Sequence, residues 1–274
     1  MNYRHAFHAG NFADLVKHAA VLALVRRLTG DPSPLLVIDT HAGAGLYDLE
    51  DAEQARSKEA EAGVKRLMGG QTPPPFAALR EAVERRNPDG GVRWYPGSPS
   101  LIVEALRPGD RYVGCELRED EHGRLAALLA RTGKTAEARR GDGYEAAREL
   151  SRGPGRRLLL IDPPFERADD YLRTAETLGA VLKADPRAAA LVWLPLKDLE
   201  TLDGFARRLE ALRLPRALVA EARLRPLHDP MKMNGCALVA VNPPDGFEAE
   251  LEAICAFVVE ALGAPGGRAK LWRL

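Results

Sequence analysis

The chain has 274 residues, 46% hydrophobic and 28% charged, which excludes a low-complexity polymer and allows one large α/β domain or one domain with an insertion. Lysine plus arginine and aspartate plus glutamate each number 39, so no net field draws the molecule toward nucleic acid and any polyanion site must be a local patch. No apolar run reaches the length of a membrane span and the N-terminus opens no signal-peptide pattern, so a cytoplasmic protein with no membrane partner is expected. Cys115, Cys236 and Cys255 are far apart and lack any C-x-x-C or histidine spacing, so they read as reduced buried thiols and no metal is expected.

In chain order, residues 1–11 are dense in Tyr3, Arg4, His5, Phe7, His8 and Asn11, groups that stack on bases and bind phosphate. Asn11 is a candidate N-cap for a helix over Phe12 to Leu28, with Leu15, Ala19, Leu22 and Val25 at helical spacing and Lys17 and His18 beside that stripe. Leu35 to Asp39 is a buried-strand run that enters Thr40-His41-Ala42-Gly43-Ala44-Gly45. The two glycines let the backbone approach a ligand, but Leu46, Tyr47 and Asp48 break the dinucleotide fingerprint, and the short loop suits a nucleoside joined to an amino acid. From residue 48 to 95 the α/β rhythm stops: helical patterns at Ala52 to Met68 and Phe76 to Arg86, with a Gly/Pro linker between, predict a helical insertion that either shapes substrate access or decorates the fold.

Alternation resumes at Tyr95-Pro96-Gly97-Ser98-Pro99, and a strand over Arg111 to Glu116 ends in a carboxylate that is either the group that binds ribose hydroxyls or an exposed edge acid opening the charged run Glu116 to Glu121. After a helix from Glu119 to Arg131 and a weak strand at Ala136 to Arg139, Gly141-Asp142-Gly143 is either an acceptor for an adenine edge or a tight turn. Leu158 to Asp162 is a further buried strand, stopped by Pro163 and Pro164. The prolines hold the Asp162 carboxylate and neighbouring carbonyls rigidly, and Phe165 offers a ring beside them, a set suited to a planar base with an exocyclic amine. Helix and strand then alternate through Cys236 to Val241, which is too close to its predecessor for a crossover and should be antiparallel; a helix over Phe247 to Leu262 and a basic tail at Arg268 to Arg273 finish the chain.

Four carboxylates, Asp39, Glu116, Asp142 and Asp162, thus stand at successive strand ends. With the glycine loop and Asp162-Pro163-Pro164-Phe165, this order resembles the class I S-adenosylmethionine-dependent methyltransferases that act on exocyclic or amide nitrogens. Tyr3 to Asn11, Lys17-His18, Asp39 to Gly45, Tyr95 to Pro99, Asp142-Gly143, Asp162 to Glu166 and Met233 to Gly235 together resemble the RlmJ family of bacterial large-subunit ribosomal RNA adenine-N6 methyltransferases. Phe165 stands where that family often has tyrosine; it keeps the stacking face and loses a hydroxyl.

The resemblance implies a Rossmann-like α/β fold with a mostly parallel seven-stranded sheet and one antiparallel strand. The methyltransferase domain would comprise residues 1–47 and 96–274, with 1–11 as a substrate arm and 48–95 as the insertion. It implies S-adenosyl-L-methionine as cofactor, held by His18, His41, Gly43, Gly45, Ser98, Glu116, Asp142, Gly143 and Asp162, with Asp162, Pro163 and Phe165 catalytic. Tyr3, Arg4, His5 and Lys17 would contact the substrate, 23S ribosomal RNA, free or partly assembled, and the enzyme would act as a monomer. Competing readings are a DNA adenine-N6 or protein glutamine-N5 methyltransferase, which share the tetrapeptide, a noncatalytic ribosome assembly factor, and an oxidoreductase, which the missing third glycine disfavours.

Overall fold

The computed structural model describes residues 8–51, 57–214, 216–227 and 232–274. Asn11 caps helix α1 (Phe12–Leu28) by accepting hydrogen bonds from the Ala13 and Asp14 amides. The apolar run after it forms β1 (Leu35–Asp39), followed by the short β2 (Leu46–Asp48). A π-helical turn (Glu61–Lys65) leads into α2 (Arg66–Met68), and α3 (Ala77–Arg86), β3 (Trp94–Pro96) and α4 (Ser98–Ala105) come next. The alternation continues with β4 (Arg111–Glu116), α5 (Glu119–Ala130), β5 (Ala136–Arg140), α6 (Gly143–Glu149), β6 (Arg156–Ile161), α7 (Asp170–Ala184) and β7 (Ala189–Leu196). It closes with α8 (Leu199–Ala211), β8 (Ala217–Arg223), β9 (Gly235–Val241), α9 (Phe247–Leu262) and β10 (Arg268–Arg273).

Among the described residues the main sheet has eight strands in the order β10-β8-β9-β7-β6-β1-β4-β5. The class is the expected mostly parallel α/β one, and β9 runs antiparallel to both β7 and β8, as its short connection required. The strand beyond the expected seven is β10, made by the residues read as a basic tail; it pairs antiparallel with β8. Its alternation of Ala269 and Leu271 with Arg268 and Lys270 suits a half-exposed edge, where charge deters further pairing. Helices α1, α4, α5 and α9 pack on one face around Leu15, Leu24, Ile102 and Phe247, and α6, α7 and α8 on the other around Leu178, Phe205 and Leu209. The sheet is therefore sandwiched between two helical layers, and its central strands carry the uninterrupted apolar runs Leu35 to Ile38 and Leu158 to Ile161 because both their faces are covered.

The chain leaves β1 toward β4 on one side and reaches β6 on the other, so the strand order reverses at β1. Such a reversal opens a crevice beyond the carboxyl ends of the strands. The expected 48–95 unit is bracketed by the β2/β3 ribbon and packs onto the start of α1. Gly63 permits this approach, since a Cβ there would lie 2.2 Å from the Gly10 carbonyl oxygen. Val64 N–H donates to that same oxygen at 2.8 Å.

Candidate active site

Four strand ends converge on one cavity of about 370 Å³, lined among others by Lys17, His18, His41, Gly43, Ser98, Glu116, Asp142, Gly143, Asp162, Pro163 and Phe165. Asp162 follows β6 directly and receives the Lys17 ammonium at 2.5 Å on Oδ2. The same ammonium lies 2.9 Å from Asp14, one turn earlier on α1. Burial pushes the Lys17 amine down, but Asp14 and Asp162 outweigh it and hold the amine well above its usual range. Lys17 was expected to contact substrate RNA; its side chain is buried between Asp14 and Asp162 and lines the cavity from α1. Among the described residues no hydrogen bond falls on Asp162 Oδ1.

Phe165 adopts a left-handed backbone with φ of +50°, a costly conformation for a bulky residue that the tight turn after two prolines imposes. Its ring sits 4.5 Å from that of Tyr171 and 6.1 Å from that of Trp193. Trp193, Pro195, Lys197 and Met233 complete this end of the cavity. Sequence reasoning missed all four as site residues: Trp193 and Pro195 lie inside β7 and read as core. Met233 belonged to the Met233 to Gly235 block, but only as part of a turn.

At the other end, Glu116 accepts hydrogen bonds from the Gly43 amide at 3.1 Å and the Arg118 amide at 2.8 Å, so its carboxylate is fixed beside the glycine turn. Burial pushes the Glu116 carboxyl above its usual range. Gly43 has φ of +64°, and a Cβ there would lie 2.3 Å from the Tyr47 hydroxyl. Gly45 does not line the cavity; it shapes the turn, accepting from the Gly97 amide and the Ser100 hydroxyl. Asp142 caps α6 through Oδ1, with the Tyr144 amide at 2.9 Å, and Gly143 packs so closely on Thr40 that no side chain fits.

Asp39 lies beneath the cavity, fully buried, and accepts from the Ser98 hydroxyl at 2.8 Å and the Tyr112 hydroxyl at 3.0 Å. Burial pushes its carboxyl up to about 6, against the pull of Ser98. His18 bonds the Tyr95 hydroxyl at 2.7 Å and is itself buried. His41 pairs with Thr40 and meets the Tyr144 ring edge-on at 5.0 Å; burial pushes its imidazole down to about 4, so it is neutral near pH 7. His8 and Asn11 both bond Glu59, tying the start of α1 to the 48–95 segment at the cavity's rim. Tyr3, Arg4 and His5 lie outside the described residues.

The chain matches, over residues 32–274, the family model described as ribosomal RNA large subunit methyltransferase D, RlmJ. The ribosomal RNA large subunit methyltransferase J of Escherichia coli is 29% identical over 256 residues, covering 93% of this chain and 91% of its own length. That of Haemophilus influenzae is 28% identical over 270 residues, covering 97% and 95%. A crystal structure of a Legionella pneumophila protein superposes with a TM-score of 0.89 at 27% identity, covering 97% of this chain and 98% of that one. The chain belongs to the RlmJ family of ribosomal RNA large subunit methyltransferases.

Proposed function

We propose that the protein transfers a methyl group from S-adenosyl-L-methionine to the exocyclic N6 of an adenine in 23S ribosomal RNA. The observation that carries this reading is the position of Asp162-Pro163-Pro164-Phe165 in the same cavity as Glu116, Gly43 and Asp142. The residues fit a cofactor composed of a nucleoside and an amino acid: a fixed carboxylate for ribose hydroxyls, a second for the purine edge, and a glycine turn with no third glycine to clamp a pyrophosphate. When bound there, the cofactor would supply an electrophilic methyl group on a sulfonium.

The chain's own residues do the rest. An exocyclic amine is a poor nucleophile because its lone pair is delocalised into the ring. Asp162 Oδ1 and the Pro163 carbonyl would accept its two protons and turn the lone pair toward the methyl group, a gain chiefly in orientation. Lys17 balances the Asp162 charge, both side chains being largely buried. Phe165, braced by Tyr171, would stack on the base. Once the nitrogen is alkylated its proton passes to Asp162. An adenine reaches this cavity only when unpaired or flipped out, which looped RNA allows at low cost.

The test is incubation of purified protein with labelled cofactor and separate pools of 23S RNA, DNA and protein. N6-methyladenine confined to the RNA supports the reading; label in DNA adenine or protein glutamine, or in no pool, overturns it.

A further inference from the structure

Asp142 is held by more than its helix cap. Its Oδ2 receives Arg173 Nη2 at 2.5 Å, while Oδ1 already takes the Tyr144 and Glu145 amides. The Arg173 guanidinium is fixed in turn, its carbon 4.5 Å above the Tyr144 ring centroid. A carboxylate has about four acceptor positions, two on each oxygen. Two amides fill Oδ1 and one guanidinium half-fills Oδ2, so one lone pair remains on Oδ2 of a residue that lines the cavity. Arg173 itself lines that cavity, reaching it from the first turn of α7, the helix that follows the Asp162-Pro163-Pro164-Phe165 turn.

We propose that Arg173 is a positioning residue for cofactor recognition: it keeps Asp142 charged and rotated so that the remaining Oδ2 lone pair meets the exocyclic amine of the cofactor's purine. This rests on the reading above that Asp142 faces the purine edge. The surroundings make Arg173 the decisive partner. Burial pushes the Asp142 carboxyl up, and Arg173 and the two amides outweigh it and hold the carboxyl below its usual range. The other titratable groups facing Asp142 are His41 from the turn after β1, which is neutral, Tyr144 on its own helix, and Cys115 of β4, whose thiol burial pushes up to about 12. Arg173 is the cation among these described groups. Through it, the helix that follows the catalytic turn also orients the cofactor end of the site.

The experiment is calorimetric binding of S-adenosylhomocysteine and its 6-oxo analogue, S-inosylhomocysteine, between pH 3.5 and 8. The proteins are wild type, Asp142→Ala, Arg173→Ala and Arg173→Lys. Wild type should prefer the 6-amino ligand by about tenfold or more, and Asp142→Ala should lose that preference. Arg173→Ala should lose most of it, and its binding should fall away at higher pH than wild type as the Asp142 carboxyl rises toward its ordinary value or beyond. Arg173→Lys, which restores a cation, should recover part of both. A preference retained in Asp142→Ala overturns the reading of Asp142 and the proposal with it. A preference lost in Asp142→Ala but kept in Arg173→Ala, with an unmoved acid limb, overturns the role of Arg173 alone.

Discussion

Asp39 ends β1 and Asp162 follows β6, neighbouring parallel strands about 5 Å apart, yet the fold makes different groups of them. Asp39 is fully buried and meets two neutral hydroxyls, so nothing cationic touches it directly. Asp162 sits one residue beyond its strand, opens into the cavity and carries the Lys17 ammonium. An acid at the end of a buried strand is therefore not in itself a catalytic group. One residue of overhang and a counter-charge on one oxygen separate the proposed base for substrate from a buried brace under the glycine loop.

The largest expected effect tests that separation directly. Asp162→Ala should lower methyl incorporation into 23S RNA by about three orders of magnitude while the thermal unfolding midpoint stays within a few degrees. Near-wild-type turnover in that variant would erase the distinction. Next in size is Lys17→Met, which leaves Asp14 and Asp162, both largely buried, without their cation. Denaturant unfolding should show a loss of about 3–5 kcal/mol. Adding Asp162→Leu to Lys17→Met should restore part of that stability and no activity, since the pair is coupled. A full, additive loss in the double variant would mean that the ammonium does not serve Asp162.

Asp39 gives a smaller effect with a defined sign. Its folded carboxyl stands at about 6, above its unfolded value. Below the unfolded value both states hold the proton and no stability is lost; between that value and about 6 the unfolded chain releases the proton while the folded state keeps it, so stability falls by roughly 2–3 kcal/mol across that window and levels off above it. Asp39→Asn, which cannot ionise, should therefore gain on wild type between pH 4 and 7.5 in parallel urea titrations. A difference that stays flat with pH would show Asp39 to be charged throughout. Smallest of all is Phe165→Tyr: the ring and its stacking are kept, so methylation should change less than about tenfold. A larger loss would mean that the Tyr171 and Trp193 packing around this strained residue has no room for a hydroxyl.

Much of the fold was legible before any coordinates. Leu35 to Asp39 and Leu158 to Ile161 read as strands because two covered faces demand uninterrupted apolar residues, and α1 because Asn11 caps a run with helical spacing. β10 was not legible, because an edge strand needs few apolar residues and its cations resemble a tail. Within the site, the residues proposed for the cavity were named largely from loops and strand ends. Trp193 and Pro195 were hidden in β7, where an apolar residue facing a cavity has the same pattern as one facing the core.

The sequence by itself determined where strands stop and which acids stand there, since apolar runs, prolines and glycines act locally on the backbone. Only the tertiary structure decided what each acid touches. Lys17 meets Asp162 across 145 residues of chain, and Arg173 meets Asp142 across 31. Those pairings depend on how α1 and α7 pack against opposite faces of the sheet, which is set by packing of whole elements and leaves no local periodicity to read.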